Sequence, residues 1–324
     1  MADCSRLVGF GGYLPEKIVT NQELSQRVDT SDEWIRERTG IKQRHIISGH
    51  ETCNFMAAAA AQQAMEYAGL TSDDIDAIVV ATCTPDQIFP TTAAKVQQIL
   101  GIKRGFAFDV SSACAGFVFG LSVADNFIRN GQAKNVLLIG SEVYSRILDW
   151  SDRRTCVLFG DGAGAVVLSA EEITDTNKQN GILGVYLHTD GHYSDLLYVD
   201  GVPGQTGDAC LLKMHGQEVF RHAVTKLSEV VEEALIAHHL THDDIDWLVP
   251  HQANLRIITG MGKKLNLPLD RVVATVDRHA NTSAASVPLA LNEAVRDGRI
   301  QKGDLVVIEA LGGGLSWGSS IIRL

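Results

Sequence analysis

The residue best suited to chemistry is Cys114, which follows a predicted strand and begins a predicted helix. A thiol in a first helical turn lies near unpaired N–H groups and the positive end of the helix dipole, which favour the thiolate. The sequence therefore predicts a nucleophilic cysteine with a lowered pKa. The spacing of apolar residues defines the two elements. Phe106, Phe108 and Val110 alternate as the buried face of a strand would, and Phe117, Leu121, Ala124 and Ile128 recur at helical spacing.

Taken alone, Cys114 also fits a small buried apolar residue, which is the commoner role of a free cysteine. The other cysteines show no C-x-x-C pair and no metal-like spacing with histidine, so neither a disulfide framework nor a metal site is predicted. None of them is predicted to begin a helix, which leaves Cys114 as the candidate nucleophile. These other cysteines are Cys4, Cys53, Cys83, Cys156 and Cys210.

Two neutral hydrogen-bond donors occupy comparable places later in the chain. His251 follows a predicted strand, Asn281 precedes a predicted helix, and the glycines 312–314 follow a further strand and would let the backbone approach a ligand closely. Each has an ordinary alternative, since His251 could be a satisfied loop histidine and Asn281 a turn residue or helix cap. Together with Cys114 they would supply a nucleophile, two donors and a backbone N–H group.

The sequence repeats itself at an almost constant offset. The phrase Leu-Thr-x-Asp-Asp-Ile-Asp begins at residues 70 and 240 (240 − 70 = 170), and apolar strands begin at residues 136 and 305 (305 − 136 = 169). Nearly equal offsets indicate a duplicated unit. We therefore predict an α/β protein with two halves, 1–170 and 171–324, each a mixed sheet covered by helices. The site is expected where the carboxyl ends of strands from both halves meet.

The N-terminal segment 7–15 is interpreted as a strand followed by a glycine turn. A dinucleotide-binding loop is disfavoured, because a proline follows and a helical pattern does not. In the next helix, Thr30 and Glu33 form a predicted capping box, and Trp34 and Arg38 lie on one face. Spacing alone favours surface packing for this last pair, although an aromatic plane and a cation also suit a nucleotide.

Composition limits the class of protein. With 45% hydrophobic and 21% charged residues, the chain is expected to be globular, and its net charge of −11 argues against general nucleic-acid binding. No basic segment with a long apolar run opens the sequence, and no apolar run is long enough for a bilayer. A cytoplasmic protein with no membrane contact is expected.

The candidate residues lie within short motifs: Ala-Cys-Ala-Gly at 113–116, Phe-Gly-Asp-Gly-Ala-Gly at 159–164, Pro-His-Gln-Ala-Asn-Leu-Arg at 250–256, Arg-His-Ala-Asn-Thr-Ser-Ala-Ala-Ser at 278–286 and Gly-Gly-Gly at 312–314. In combination, and over essentially the whole chain, they resemble β-ketoacyl-acyl carrier protein synthase III, a family of initiating condensing enzymes with a thiolase-like fold. The resemblance implies that Cys114 is acylated and that His251 and Asn281 donate to the malonyl thioester carbonyl. It also implies an oxyanion hole formed by the N–H groups of Cys114 and Gly313.

The implied reaction needs these residue types. A thiolate exchanges thioesters readily, so acyl-coenzyme A (acyl-CoA), with acetyl as the expected primer, would load Cys114 and release coenzyme A. Decarboxylation of a malonyl group on acyl carrier protein then places enolate charge on a carbonyl oxygen, which each neutral donor stabilises by about 3 kcal/mol. The carbanion attacks the acyl-cysteine and yields a 3-ketoacyl-carrier protein and CO2. No metal or redox cofactor is required.

Related families differ at identifiable positions. Degradative thiolases need a second cysteine near the C-terminus, and no cysteine follows Cys210. Elongating synthases use a second histidine where this chain has Asn281. Two alternatives remain: a starter-unit synthase of a secondary, polyketide-like pathway, and a catalytically inactive homologue that binds the carrier protein. The presence of all three reactive residues disfavours the inactive homologue.

The resemblance also implies binding residues for the two substrates. Trp34 and Arg153 would enclose the adenine of coenzyme A, Arg38 would lie near its phosphates, and Asn254 would touch the pantetheine arm. In the acyl pocket, Leu311 stands where many relatives have phenylalanine. Phe89 would reach that pocket from the partner subunit, so a homodimer is implied.

A basic stripe is predicted to meet the carrier protein, which is acidic. Arg256, Lys263 and Lys264 recur at i, i+7 and i+8, which places them on one side of a helix. A merely solvated charged face is the alternative. The stripe begins directly after His251, so it would line the entrance for the phosphopantetheine arm. The full set of implied contacts is Gln252, Ala253, Asn254, Leu255, Arg256, Lys263 and Lys264.

Overall fold

The computed structural model describes residues 3–174, 180–201 and 210–324, in which strands and helices alternate. The strands are β1 Asp3–Tyr13, β2 Ile18–Thr20, β3 Gln43–His45, β4 Ala77–Ala81, β5 Phe106–Val110, β6 Asn135–Val143, β7 Asp161–Glu172, β8 Gly181–Thr189, β9 Leu197–Val199, β10 Leu212–Met214, β11 Trp247–Pro250, β12 Leu305–Gly312 and β13 Ser316–Arg323. The helices are α1 Asn21–Leu24, α2 Asp32–Thr39, α3 Cys53–Ala68, α4 Thr92–Ile99, α5 Gly116–Arg129, α6 Gly216–Ala237, α7 Leu255–Lys264, α8 Val276–His279 and α9 Ser286–Arg296. Among the described helices, none is both long enough and apolar enough to cross a membrane.

Two mixed sheets carry the same topology. The first has the order β1-β7-β6-β4-β5, and the second has the order β8-β13-β12-β11. β1, β7, β6 and β4 of the first sheet correspond to β8, β13, β12 and β11 of the second. In both sheets the first two pairs in this order are antiparallel and the third pair is parallel. In the place of β5, the described part of the second half has a parallel bridge between Leu248 and Val272. The repeated order and orientation agree with the duplication predicted from the sequence offsets.

Helices separate and cover the sheets. α5 packs against β6 and β1 of the first sheet and against β8 of the second, while α9 packs against β7, β1 and β11. α3 covers the other face of the first sheet, and α6 covers the other face of the second. Buried side chains of α5, such as Phe117 and Leu121, join strand residues of both sheets in one core. The layering is that of the predicted thiolase-like fold.

The glycines near the N-terminus lie inside β1, so the predicted glycine turn is wrong. Their role is close packing, because α3 crosses directly over this strand. A Cβ atom at Gly9 would lie 2.2 Å from the carbonyl oxygen of Ala64, and one at Gly11 would lie 2.1 Å from that of Ala60. Only glycine permits this approach of a helix to a strand.

β7 runs to Glu172, two residues past the predicted boundary at residue 170, and the boundary between the halves stays a prediction. Two further sequence predictions need correction. The N-cap of α2 is Ser31, whose Oγ accepts the N–H of Trp34 at 3.0 Å, so the proposed Thr30–Glu33 capping box does not form. The strand before Cys114 is an edge strand rather than a buried one, and Phe106 is 37% exposed.

Candidate active site

Cys114 sits in a tight turn between β5 and α5. Residues Ala113–Ala115 form a single 3₁₀ turn, and Ala113 adopts a positive φ of 44° to enter it. The end of β12 passes directly over this turn, because a Cβ atom at Gly312 would lie 2.6 Å from the backbone nitrogen of Cys114. Cys114 is 3% exposed. The strand, the turn and the overlying glycine together fix the position of the thiol.

The predicted lowering of the Cys114 pKa is wrong. Burial raises the pKa of this thiol to about 11, although hydrogen bonds with the hydroxyl groups of Ser283 and Tyr144 lower it in part. Desolvation disfavours the thiolate more than a helix terminus favours it, and the α-helix itself begins only at Gly116. Cys114 must therefore lose its proton to a neighbouring group before it can attack a thioester.

A second cysteine does begin a helix, contrary to the sequence-based expectation. Cys53 is the first residue of α3, directly after the N-cap Thr52. It is fully buried, its Sγ lies 3.4 Å from Ser141 Oγ, and burial raises its pKa to about 12. It does not line the cavity that Cys114 faces. Its location at a helix N-terminus therefore does not make it a second nucleophile.

His251 is held in one orientation by two contacts. Its N–H donates to the carbonyl oxygen of Glu309 at 2.8 Å, and its Nδ1 lies 2.6 Å from Ser286 Oγ. Ser286 Oγ also accepts the N–H of Gln252 at 3.3 Å, and a hydrogen bond from the serine hydroxyl to Nδ1 leaves the ring hydrogen on Nε2. Burial lowers the pKa of His251 to about 3. His251 is thus neutral, and its role as a donor to substrate stays a prediction.

Asn281 presents the donor end of its amide. Its backbone pairs with the segment before β7: its N–H donates to Leu158 and its carbonyl accepts from Gly160. Its Oδ1 accepts the N–H of Ser283 at 2.8 Å, which leaves Nδ2 for an external acceptor. Ser283 adopts a positive φ of 51° in the turn that makes this contact.

The three predicted catalytic residues meet at one cavity of about 820 Å³. Cys114 comes from the first half, and His251 and Asn281 come from the second, as expected for strand ends that converge. Leu311, 5% exposed, also lines this cavity. Its further apolar lining includes Val157, Leu158, Phe159, Leu197, Phe220, Ala223 and Leu227.

The geometry is compatible with the predicted oxyanion hole. Gly313 follows β12 directly, beside the close approach of Gly312 to Cys114. Cys114 lines the cavity, whereas Gly313 is not among the described residues that line it. The role of the two N–H groups therefore stays a prediction.

The predicted coenzyme A residues gather at one part of the cavity wall. The guanidinium groups of Arg38 and Arg153 lie 4.5 Å and 5.2 Å from the centre of the Trp34 ring. Arg153 also donates to the carbonyl oxygen of Asp29 at 2.8 Å. Asn254 lines the cavity but has a structural role as well. Its Oδ1 caps α7, and its Nδ2 donates to the carbonyl of Arg38 at 3.0 Å.

Gln252 cannot contact a carrier protein, so this prediction is wrong. It is fully buried, and its Nε2 donates to the carbonyl oxygens of Pro250 at 2.7 Å and Val273 at 3.1 Å. Its Oε1 accepts two backbone N–H groups, from Thr275 and Val276. The side chain braces the loop that carries His251.

The helix after this loop has the predicted basic side and, opposite to it, a buried apolar side. Arg256, Lys263 and Lys264 are exposed, whereas Ile257, Ile258, Met261 and Leu265 are buried. Arg256 lines the cavity and donates to the carbonyl oxygen of Glu37 at 2.8 Å, which holds it at the end of α2. Ala253 and Leu255 are half-buried beside it. The basic stripe therefore adjoins the cavity at one end.

Phe89 is 82% exposed and does not line the cavity of its own chain. The prediction that it enters the cavity of a partner is not tested by one chain. It lies close in sequence to Ile88, which is 64% exposed, so this loop presents an unusual amount of apolar surface.

Sequence analysis missed a polar cluster next to the thiol. Glu142 is fully buried at the end of β6, and burial raises its pKa to about 7. Tyr144, two residues later, stacks on Phe159 with ring centres 4.8 Å apart. Ser283 Oγ lies within hydrogen-bonding distance of both. The available signal was a carboxylate in a strand that has no other charged residue.

Thioester exchange at a thiol, followed by capture of a carbanion, is the chemistry that two neutral donors and this cavity can support. That chemistry, in a doubled α/β fold, places the molecule among the thiolase-fold condensing enzymes, which are acyltransferases. The family described as 3-Oxoacyl-[acyl-carrier-protein (ACP)] synthase III matches residues 108–191, and its C-terminal counterpart matches residues 235–324. The chain belongs to the β-ketoacyl-[acyl-carrier-protein] synthase III family.

Individual relatives agree with this assignment over their full length. The chain is 62% identical to beta-ketoacyl-[acyl-carrier-protein] synthase III of Granulibacter bethesdensis, with 99% of both chains covered. The crystal structure of 3-oxoacyl-[acyl-carrier-protein] synthase III from Aquifex aeolicus is similar with a TM-score of 0.93 at 43% identity, covering 99% of this chain and 100% of that one. The priming β-ketosynthase of the R1128 polyketide pathway is similar with a TM-score of 0.93 at 34% identity, covering 99% and 97%.

Proposed function

We propose that this protein loads an acyl group from acyl-CoA onto Cys114 and condenses it with malonyl-acyl carrier protein. The products are 3-ketoacyl-acyl carrier protein, CO2 and free coenzyme A, and the step initiates fatty-acid synthesis. The observation that carries the proposal is the meeting of Cys114, His251 and Asn281 at one largely buried cavity.

Each residue has a defined part in the reaction. In loading, the Cys114 sulfur forms a bond to the acyl carbon while the bond from that carbon to coenzyme A breaks. In condensation, the malonyl group loses CO2, and His251 Nε2–H and Asn281 Nδ2–H donate to the resulting enolate oxygen. Because His251 is neutral, it stabilises this charge by donation and keeps its proton. The enolate carbon then displaces Cys114 from the acyl group.

Coenzyme A would enter along Trp34. The guanidinium groups of Arg38 and Arg153 lie over this ring. An adenine base can stack against one guanidinium group, while the other binds phosphate oxygens. Arg153, which Asp29 holds in position, suits stacking on the base, and Arg38 suits the phosphates. The pantetheine arm would then pass Asn254 toward Cys114.

The carrier protein would dock on the basic stripe of α7. Its three cations stand out because the whole chain has a net charge of −11, so this face offers local attraction to an acidic partner. Arg256 lies at the cavity, where the phosphopantetheine arm must enter. We place the protein in the cytoplasm, where acyl-CoA and carrier protein are available.

A homodimer would complete the acyl pocket. β5 is the open edge of the first sheet, and Phe106 on it and Phe89 near it expose apolar surface. In the dimer, Phe89 would enter the partner's pocket opposite Leu311. Sedimentation measures the dimer, and a Phe89→Ala variant that stays dimeric while its primer selectivity changes would support this contact.

A second candidate is a starter-unit synthase of a polyketide-like pathway, favoured by the similarity to the R1128 priming ketosynthase. The two functions differ in primer and carrier protein. Purified protein would therefore be incubated with a panel of acyl-CoA primers. Each primer would be paired with the malonyl-carrier protein of one pathway or the other, and the 3-ketoacyl product would be quantified. Preference for acetyl-CoA and the fatty-acid carrier supports the main proposal; preference for the other pair supports the alternative. Absence of any condensation with loading intact contradicts both.

A further inference from the structure

A buried polar cluster contacts Cys114 but does not line the substrate cavity. It contains Glu142, Tyr144 and Ser283, which come from the end of β6, the turn after β6 and the turn before α9. Ser283 Oγ lies 3.2 Å from Glu142 Oε1 and 3.0 Å from the Tyr144 hydroxyl. The turns that carry Cys114 and Ser283 pack against each other, and the hydroxyl groups of Ser283 and Tyr144 lower the pKa of the Cys114 thiol. Ser283 therefore lies between the thiol and the carboxyl group.

Glu142 is a carboxyl group without a cation. Within the described part of the chain it makes no ion pair, and only neutral donors surround it. The N–H of Cys83 donates at 3.1 Å, and the hydroxyls of Thr82, Thr84 and Ser283 also reach it. Burial of a carboxylate without a cation is costly. Because the burial of Glu142 costs stability, its location next to the reactive thiol indicates a role in the reaction.

The thiol needs a proton acceptor, and His251 is unsuited to the task. The pKa of Cys114 is raised to about 11, so the resting group is a thiol at neutral pH. Burial lowers the pKa of His251 to about 3, and its Nδ1 is engaged with Ser286. Glu142, with its pKa raised to about 7, is ionised in a substantial fraction of molecules at neutral pH.

The other titratable groups that face Glu142 stay neutral at this pH. Cys83 follows β4 and Cys53 begins α3; burial raises both pKa values to about 12. The pKa of Tyr144 lies well above its ordinary value. Asp86, which accepts the N–H of Cys53, is neutralised by its ion pair with Arg146 at 2.7 Å. A charge change near pH 7 in this cluster therefore belongs to Glu142.

We propose that Glu142 accepts the proton of Cys114 through the hydroxyl of Ser283. The thiol donates its proton to Ser283 Oγ while Ser283 passes its own hydrogen to Glu142 Oε1. The thiolate that forms then accepts hydrogen bonds from Ser283 and Tyr144. As the sulfur bonds to the acyl carbon, coenzyme A leaves as its thiolate and takes a proton from solvent, while Glu142 stays protonated. When condensation releases Cys114 as a thiolate, the same path in reverse returns the proton from Glu142 to the Cys114 sulfur. Glu142 acts only through Ser283, so it is a positioning residue rather than a group that touches substrate.

Charge balance favours this route. An ionised Glu142 raises the pKa of Cys114 by repulsion, so the cluster resists two negative charges. Transfer within the cluster keeps a single negative charge, which moves from carboxylate to sulfur. Loss of the thiol proton to solvent would instead leave both groups ionised.

The test is the pH dependence of Cys114 alkylation by iodoacetamide, with the label mapped by mass spectrometry. In the native protein the rate should rise with pH through an inflection near 7 and then level, because the acceptor must be ionised. Glu142→Gln should lose that inflection and show a rate that climbs steadily into the alkaline range. Its acyl loading from acyl-CoA at neutral pH should fall by about 100-fold. Glu51→Gln is the matched control and should keep the native profile. Glu51 is also buried, accepts hydrogen bonds from the Tyr13 hydroxyl at 2.9 Å and the N–H of Ser48 at 2.7 Å, and does not line the cavity.

Two outcomes would overturn the inference. One is a Glu142→Gln variant that keeps the neutral inflection. The other is a variant that reacts faster at every pH, which would mean that Glu142 only repels the thiolate. Ser283→Ala preserves the carboxyl group but interrupts the path, so it should lose the inflection even if Glu142→Gln fails to fold; a native profile in Ser283→Ala also contradicts the relay. Glu142→Asp should restore part of the inflection.

The inference rests on the proposed role of Cys114 as nucleophile, and the mapped label separates the two. If iodoacetamide and acyl-CoA modify another cysteine, the proposed function fails. If both reagents modify Cys114 and the Glu142→Gln variant keeps the native pH profile, only the proposed proton transfer from Cys114 to Glu142 fails.

Discussion

Ser286 Oγ lies 2.6 Å from Nδ1 of His251, and this contact leaves Nε2 as the ring nitrogen that can meet a ligand. Ser286 is the first residue of α9, so the helix that packs between the two sheets also fixes the imidazole. The orientation of a catalytic group is thereby tied to the core of the molecule.

Ser286→Ala should weaken malonyl decarboxylation by roughly 10- to 100-fold, because Nε2 is then no longer held as the donor nitrogen. Loading of Cys114 from acyl-CoA should change little. Ser320→Ala is a suitable control, since it removes a buried serine hydroxyl that bonds Gly184 at 2.9 Å outside the cavity. Separate assays of the half-reactions measure both effects, and an equal loss in the two would contradict the assigned role.

Cys114→Ala should abolish acyl loading and condensation, because the nucleophilic sulfur is lost. Mass spectrometry after incubation with acyl-CoA checks the prediction directly. Cys53→Ala is the matched control, as Cys53 also begins a helix but is fully buried outside the cavity. It should load normally. Acyl mass on another cysteine, with activity retained in Cys114→Ala, would refute the mechanism.

His251→Ala and Asn281→Ala should each suppress decarboxylation by about 100-fold or more while affecting loading far less, since both donors face the malonyl carbonyl. The low pKa of His251 adds a pH prediction. A histidine whose folded pKa is depressed to about 3 stays neutral throughout the weakly acidic range, so its protonation should not inhibit decarboxylation there. Rates measured against pH decide this point, and an acidic loss that disappears in His251→Ala would oppose it.

Arg256→Ala should raise the KM for malonyl-carrier protein by about 5-fold, because a rim charge governs encounter more than chemistry. Lys263→Ala with Lys264→Ala should have a weaker effect, since these residues lie farther from the cavity along α7. Loading from acyl-CoA should stay largely intact. Steady-state kinetics at low and high ionic strength provide the test. The control is Lys302→Ala, which removes an exposed lysine before β12. If Arg256→Ala and this control have the same KM and the same salt response, the carrier protein does not dock at Arg256.

The motifs and the repeat predicted much of this molecule because they are local signals. Cys114, His251 and Asn281 each lie beside a recognisable strand or helix end, and the constant offset predicted two equivalent sheets. The prediction for Gln252 was wrong because a polar residue inside a motif can hydrogen-bond to the protein backbone instead of contacting a partner. Its burial depends on Val273 and Thr275, which lie about twenty residues away and give no local signal.

The acid–base properties of the site could not be predicted from sequence. The pKa of Cys114 depends on how completely the two halves bury it, and sequence spacing reports only its place at a helix start. Glu142 lies in a strand whose other residues indicate core packing. Its function depends on contact with Ser283, which is separated by more than a hundred residues and belongs to the other half.

The positive φ angles at Ala113 and Ser283 place the same bend in both copies of the repeat, since 283 − 113 = 170, the offset of the duplicated phrase. Ala284 is therefore the counterpart of Cys114. Only the first of the two equivalent turns carries a sulfur. The second places Ser283 beside the thiol, together with a small alanine whose carbonyl oxygen lies 2.2 Å from where a Cβ atom of Gly140 would stand. The asymmetry of this site therefore comes from two different sequences on one repeated turn, with no added element.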